Sequence, residues 1–430
     1  MKALSIGGRL TLLKSVLGSI PIFHMSIFRV PSSVLNMLES IRSHFFNGHE
    51  LGSNKATWVK WSRVLTAIDH GGLGVSSLYA LNRGLMVKWF WRFYSQKTSL
   101  WANVIKAIHG EDGNVDKAHY IGGRTCWTSI VHEVKVLCSQ GVNILDCMRL
   151  KLGDGENTNF WKDNWCSGGI LKDLFPRLYA IESCKLVNVC TKLNDPSLVS
   201  SFRRDVRGAA EQIQLDNLSD MISLVNLVSM ADRWVWNLDS SGDFSVSSIR
   251  KVIDEKRFPS VCSKTRRVKY VSIKVNVLAW KIKIDALPTR FNISRRGIDI
   301  HYILCPVCDG GVESSEHLFF RCHLSKQIAR KVSLWWNVAY VDVNSYAEWY
   351  SWIVSLRIAA KSKLMLEGVF YTMWWQLWTY RNKLLFDDKV PSKTVIFDSV
   401  VSSSFYGCRF RSKALFSWNE WLKNPYLIVL

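Results

Sequence analysis

Residues 305–322 read Cys-Pro-Val-Cys-Asp-Gly-Gly-Val-Glu-Ser-Ser-Glu-His-Leu-Phe-Phe-Arg-Cys. Two thiols two residues apart, then an imidazole and a third thiol, make a Cys₃His set able to close a tetrahedral Zn²⁺ site. Cys305 and Cys308 flank Pro306-Val307, so a tight turn aims both sulfurs at one ion. Asp309-Gly310-Gly311 then reverses the chain. Ser314-Ser315-Glu316 reads as a helix start, with a capping hydroxyl and an early acid. That places His317 and Cys322 about one turn apart on one short helix. The competing reading is a group of ordinary core cysteines in a chain that has 11 of them, since free Cys is commonly a small buried hydrophobe. Order and spacing favour metal. His323, beside Cys322, remains a rival to His317. Four protein ligands leave no open coordination position, so the expected zinc is structural.

Outward from this stretch, Lys264 to Arg296 holds ten basic residues against one acid, Asp285. Lys264, Arg266, Arg267, Lys269, Lys281, Lys283, Arg290, Arg295 and Arg296 are the candidate nucleic-acid contacts from this run, which also contains Lys274. Such a run is often only a solvated face. Here it adjoins the thiol cluster, interleaves Tyr270 and Trp280, and belongs to a chain of net charge +21 and pI near 9.6. A polyanionic partner is expected, bound with little sequence preference. By charge alone RNA, DNA and anionic membrane all qualify.

The 430 residues are 48% apolar, enough for two or three packed domains and wrong for a disordered chain. The odd cysteine count and the lack of motif spacing outside 305–322 argue against a disulfide framework and for a reducing compartment. Met1-Lys2-Ala3-Leu4 invites a signal-peptide reading, but Gly7-Gly8-Arg9 and Lys14 interrupt any apolar region, so the protein is expected to be intracellular, in nucleus or cytoplasm, and not secreted. The run Leu364–Tyr380 is short and contains Glu367. It reads as a buried helix, and no membrane partner is expected.

Along the chain, Leu10, Leu13, Val16, Leu17 and Ile20 form a helical stripe that stops at Pro21. Ser32 or Ser33 starts a second helix that Asn47-Gly48 ends, and Ser76 or Ser77 opens a third through Trp89. Lys88, Trp89, Trp91, Arg92 and Tyr94 are read as core aromatics with cations snorkelling outward, ahead of a base-stacking surface. Between about Gly110 and Glu255 the pattern turns to short strands. A hairpin is expected around Gly153-Asp154-Gly155 with Thr158–Trp161 returning, and a second around Ser240–Asp243 with Phe244–Val246 returning, before a helix from Ser247. Residues 195–210 read as a linker. The tryptophan-rich helices after Cys322, with Phe370, Trp374, Leu377 and Trp378 on one face, read as core. The fold class is thus mainly α with short β-hairpins (α+β).

Trp280-Lys281, Leu287-Pro288-Thr289, Arg295-Arg296-Gly297, Cys305-Pro306-x-Cys308, Glu313-Ser314-x-x-His317-Leu318-Phe319 and Cys322 resemble the zinc-binding domain that follows the polymerase in plant non-LTR (LINE-type) retrotransposon reverse transcriptases. Gly8-Arg9-Leu10-Thr11-Leu12, Pro21 and Gly71-Gly72-Leu73-Gly74 resemble the helical thumb and connector of that family, and Asp163, Trp165, Gly242, Phe244, Val246 and Arg381-Asn382-Lys383 match it further along. The resemblance implies a thumb-like helical region over 1–110, a mixed connector over 111–255, the zinc-binding domain over 256–345 and a Trp-rich helical tail over 346–430. It also implies nucleic-acid handling during target-primed reverse transcription, in a chain that starts after the polymerase active site.

A reverse transcriptase needs carboxylates that hold two metal ions. Phe386-Asp387-Asp388 comes near the required aromatic-x-Asp-Asp box but lacks the intervening residue, is followed by Pro391 and lies after the zinc motif, so it reads as a surface turn. His132-Glu133 has no second histidine four residues on, and no paired carboxylates suggest a ribonuclease H or endonuclease. The chain is expected to be a nucleic-acid-binding C-terminal part of a retroelement reverse transcriptase, inactive as a polymerase alone. The alternatives are part of a complete RNA-directed DNA polymerase encoded upstream, or a non-enzymatic scaffold or relic.

Overall fold

The computed structural model describes residues 4–48, 57–115, 125–166, 168–195, 197–258, 263–389, 392–412 and 415–428. Met1–Ala3, Pro196 and Pro391, which enter the sequence reading, lie outside the described residues. The longer helices are α1 (Ile6–Ser15), α2 (Ser32–Asn47), α3 (Leu78–Ser95), α4 (Leu100–His109), α5 (Cys126–Ser139), α6 (Ala209–Ser223), α7 (Val246–Arg257), α8 (Ile273–Lys283), α9 (His323–Trp335), α10 (Tyr346–Ser355), α11 (Ala360–Phe386) and α12 (Val395–Arg411). Strands β1 (Met148–Lys151) and β2 (Arg233–Trp236) form the one sheet among the described residues. Mainly α with a small antiparallel sheet is the observed class. No helix is long and apolar enough to cross a membrane among the described residues.

The chain divides into two compact units, the first made of residues 1–20, 36–75 and 258–430, the second of 21–35 and 76–257. In the first, α11 is the axis. Met365, Leu366, Val369, Phe370, Met373, Trp374 and Leu377 are buried against Leu278 and Ile282 of α8, Ile328 and Val332 of α9, and Ile396 and Val400 of α12. Because α11 is apolar around most of its circumference, it fits a fully enclosed helix. A smaller cluster joins Leu10 and Leu13 of α1 to Leu73, Val277 and Trp280. Trp280 Nε1 donates to the Gly71 carbonyl at 2.8 Å, pinning the glycine-rich loop. At Gly72 a Cβ would sit 2.0 Å from the Thr66 carbonyl oxygen, so no other residue fits.

In the second unit α3 is central. Its N-cap is Ser77, whose hydroxyl accepts from Ala80 N–H and donates to Asp254 of α7 at 2.6 Å. Trp91 packs against Trp236 and Phe244, Tyr94 against Trp234, and Trp89 Nε1 donates to the Ser26 carbonyl, while Arg92 lies over the Trp89 ring. Phe90 and Phe93 of α3 are buried in the core, and half-buried Trp89, Trp91 and Tyr94 pack against it.

Three expectations are corrected. Neither hairpin forms; the first arm of each pairs with the other, Met148 opposite Trp236 and Lys151 opposite Arg233. The cause lies at Asp232. Its carboxylate accepts from the N–H groups of Gly153, Gly155 and Asn157 and from the Thr158 hydroxyl, so the turn donors are satisfied by a side chain far downstream and the strand beside β1 comes from there. Residues 110–255 also contain α5, α6 and α7, not chiefly strands. Finally, 195–210 is no free linker, since Leu198, Phe202 and Val206 pack on a core of Phe160, Trp161, Leu178 and Leu218.

These hydrogen bonds outweigh the effect of burial and hold the Asp232 carboxyl below the usual carboxylate range. Its contribution to stability is therefore complete above the unfolded carboxylate pKa and is lost as pH falls through the lower folded value. Asp232→Ala leaves four donors without their acceptor, and opening of this turn should become easier by about 1–3 kcal/mol. Amide hydrogen exchange at Gly153 and Gly155 at neutral pH is the check: acceleration is expected, and wild-type exchange rates in the variant would contradict the role given to Asp232.

Candidate metal centre

Cys305 and Cys308 stand on a knuckle. Leu304 bridges Val312, Cys305 N–H donates to the Gly311 carbonyl at 2.7 Å, and Asp309 N–H donates to the Cys305 carbonyl with Asp309 at φ 54°. The left-handed turn folds the backbone under both sulfurs. A Cβ on Gly311 would meet the His317 ring at 3.0 Å, so glycine lets the imidazole approach the knuckle closely. Ser314 accepts from His317 N–H through its hydroxyl at 3.0 Å, the start signal read in the sequence.

From His317 to Arg321 the backbone is a single π turn, closed by Cys322 N–H donating to the His317 carbonyl at 2.7 Å. A five-residue ligand spacing fits this wide turn, whereas in an α-helix the two residues would diverge from one face. Cys322 is the N-cap of α9. The ligand atoms of Cys305, Cys308, His317 and Cys322 all lie within 4.8 Å of one another, with Cys308 Sγ 3.2 Å from His317 Nε2. Cys305 and Cys322 are fully buried, and His323 is exposed at the first residue of α9 and outside the cluster. The donor set and its convergence fit Zn²⁺, which three thiolates and one imidazole bind at about 2.3 and 2.0–2.1 Å. Zinc in this domain is structural.

The thiols are also electrostatically sorted. Hydrogen bonding from Cys305, then the backbone N–H groups of Leu324 and Ser325 at the start of α9 with help from Cys308, draw the Cys322 thiol down against the opposing effect of burial. Cys305 is pushed up by its contact with Cys322 and by burial. The hydrogen bond from Cys305 is the largest of these effects on Cys322, and the backbone N–H groups at the start of α9 add to it.

Behind the knuckle lies a pair that carried no role in the sequence reading. Glu313 is fully buried, and Arg381 of α11, equally enclosed, donates to it in a fork, Nε to Oε1 at 2.6 Å and Nη2 to Oε2 at 2.8 Å. Glu313 also accepts from Arg290 N–H, and Arg381 donates to the Pro288 carbonyl. Both residues stood inside matched motifs, but their partnership spans 68 positions and has no local pattern.

The basic candidates divide. Arg266 forms a forked pair with buried Glu367 at 2.7 and 2.6 Å, Lys283 donates to the carbonyls of Ser263 and Lys264, Arg290 to the Leu304 carbonyl, and Arg296 to the Thr57 carbonyl while lying over Trp58. Lys264 pairs with Asp69 at 2.6 Å. Of these, Arg266 reaches a buried carboxylate, while the contacts of Lys264, Lys283, Arg290 and Arg296 lie at the surface. Half-buried Lys281 is pushed down to about 8 by burial, with Arg9 adding repulsion. Exposed Arg267, Lys269 and Arg295 are the least committed, Arg295 reaching Asp285 at 4.0 Å. Phe386 ends α11 with its side chain exposed, and Asp387-Asp388 continue as a surface turn.

Residues 244–328 match the family described as zinc-binding in reverse transcriptase. The chain is 30% identical over 329 residues, 75% of its length, to a putative ribonuclease H protein of Arabidopsis thaliana, and spans about half, 51%, of that relative. It is 27% identical over 150 residues, 34% of its length, to an uncharacterized mitochondrial protein of the same plant, of which it spans 92%. Residues 244–328 are therefore similar to the zinc-binding domain of reverse transcriptases, and three quarters of the chain is similar to part of a longer plant protein.

Arg381→Met strands the Glu313 carboxylate in the interior. Breaking such a pair costs about 3–5 kcal/mol, and the variant should unfold at correspondingly lower urea and surrender zinc more readily to a chromophoric chelator. A urea midpoint equal to wild type would mean that the pair carries no structural weight.

Proposed function

We propose that this chain is a nucleic-acid-binding C-terminal region of a retroelement reverse transcriptase, with a structural zinc module and no polymerase active site of its own. In this reading residues 1–110 act as a thumb-like region, 111–255 as a connector, 256–345 as the zinc-binding domain and 346–430 as a helical tail. Cys305, Cys308 and Cys322 as thiolates, with neutral His317, hold the ion. The observation that carries the reading is the exposed positive charge of Arg267, Lys269 and Arg295 on the segments that lead into the zinc knuckle, within a chain of net charge +21. Such cations contact phosphates without reading sequence, and affinity then falls with salt as counterions are released. RNA, DNA or their hybrid presents the same phosphate chemistry to this surface.

Zinc acts here by fixing the knuckle against α9 and α11, which keeps those cations on a rigid support. The rest of a reverse transcriptase supplies the two-metal carboxylates. The match to about half of a longer plant relative supports a second reading, in which the chain works as one part of a complete RNA-directed DNA polymerase. A reading frame upstream carrying the two-aspartate box would favour it, and an intact promoter and stop codon there would remove it. If no affinity is found at physiological salt, the scaffold or relic reading leads instead.

Two outcomes test the proposal. Cys308→Ser should drop bound zinc well below one ion per chain by atomic emission, and full stoichiometry would overturn the ligand assignment. Binding to a labelled RNA–DNA hybrid should weaken with salt and collapse on zinc chelation. Lys269→Glu with Arg295→Glu should make the slope of log affinity against log salt shallower by about 0.7–0.9 for each phosphate that the variant no longer neutralises. Salt-independent binding, or an unchanged slope, would contradict it.

A further inference from the structure

A cleft of about 420 Å³ opens in the first unit, apart from the zinc knuckle. Its walls come from α1, the loop at Ile68–Leu73, residues 265–267 and the first turn of α8. Leu10, Ile68, Leu73, Ile273 and Val277 make it apolar on several sides, while Lys14 and Arg267 line it with positive charge. That volume lies in the roughly 300–1,000 Å³ range of small-molecule sites, which are largely apolar with a few placed polar groups.

The charge is not answered from within. Among the described residues no carboxylate lines the cleft; Arg266, which also lines it, is committed to Glu367, and neighbouring Lys264 to Asp69, which leaves Lys14 and Arg267. Lys14 Nζ donates to the Leu73 carbonyl at 2.7 Å, and burial together with repulsion from Arg267 pushes its pKa down. Thr265 is almost fully buried, lines the same cleft, and its hydroxyl makes no hydrogen bond among the described residues. The N-cap of α8, Ser272, makes no side-chain capping bond, and Ile273 and Asn276 of the first turn line the cleft. Two cations held near each other and a spare hydroxyl are donors that an anion can use. The apolar walls suit the flat body of the same ligand.

We propose that this cleft binds a nucleoside phosphate, its phosphate on Arg267, Lys14 and Thr265 and its base among Leu10, Ile68, Leu73, Ile273 and Val277. The site goes beyond polymer binding and stands without it, since it needs one phosphate and one base. The phosphate can be that of a free nucleotide or of a strand's 5′ end.

Calorimetric titration of the intact zinc-loaded chain with AMP, with adenosine and inorganic phosphate as separate arms, tests this. AMP should saturate, and each half-ligand should bind at least about tenfold more weakly, as expected when a charged contact and apolar burial act together. Arg267→Ala, a change at an exposed side chain, should weaken AMP by about tenfold or more, and Thr265→Val should weaken AMP without changing adenosine. Displacement of AMP by a 5′-phosphorylated oligonucleotide, but not by its 5′-hydroxyl counterpart, would assign the site to strand ends, and no displacement would assign it to free nucleotide. Lack of saturation at millimolar AMP, or equal affinity in Arg267→Ala, overturns the proposal. Because Lys269→Glu with Arg295→Glu lies outside the cleft, loss of hybrid binding in that variant with AMP binding intact separates the two readings.

Discussion

The buried carboxylate of Glu313 is the constraint on which the first unit turns. An ionised group in the interior is tolerated when a partner supplies both opposite charge and directed hydrogen bonds. Arg381 does so from α11, and Glu367, 14 residues earlier on the same helix, receives Arg266 in the same forked manner with Tyr371 donating to Glu367 at 3.0 Å. At 1.5 Å per residue the two pairs are about 21 Å apart along α11. One pair anchors the segment leading into α8, the other anchors the zinc knuckle. The helix is therefore a strut whose spacing sets where the basic segment stands relative to the thiols, and its apolar surroundings make each unpaired charge expensive.

Much of the site was legible because it is local. The order Cys305, Cys308, His317, Cys322 encloses 18 residues, and each turn within it has its own signal: the left-handed Asp309, the close-packed Gly311, the capping Ser314. The π turn refines the expected helix, with the five-residue ligand spacing the hint that an ordinary α turn would not serve. Ser77 likewise announced α3, and Glu367 inside the run Leu364–Tyr380 correctly pointed to a buried helix in place of a membrane span.

What escaped was non-local. Asp232 closes the turn at Gly153 from 79 positions away, so the strand beside β1 could not be inferred from the hairpin pattern around it. Much of the basic run also escaped, since a lysine that donates to a backbone carbonyl, as Lys283 does, looks in sequence like one that waits for phosphate. The density of Lys and Arg from 264 to 296 thus overstates the free cationic surface. Arg267, Lys269 and Arg295 remain exposed within it, and Lys14, from the other end of the chain, adds charge that no run announced.

A closed metal site ties the knuckle to α9. Cys322 at the start of α9 and Cys305 bring two buried sulfurs to one point, and the knuckle and π turn bring the other ligand atoms to within 4.8 Å of them. Zinc K-edge absorption fine structure on the purified chain measures this directly. The first shell should fit three sulfurs near about 2.3 Å and one nitrogen near about 2.0–2.1 Å. A shell with two or fewer sulfurs, or with an oxygen from water completing it, would contradict a closed Cys₃His site and with it the structural role given to the metal.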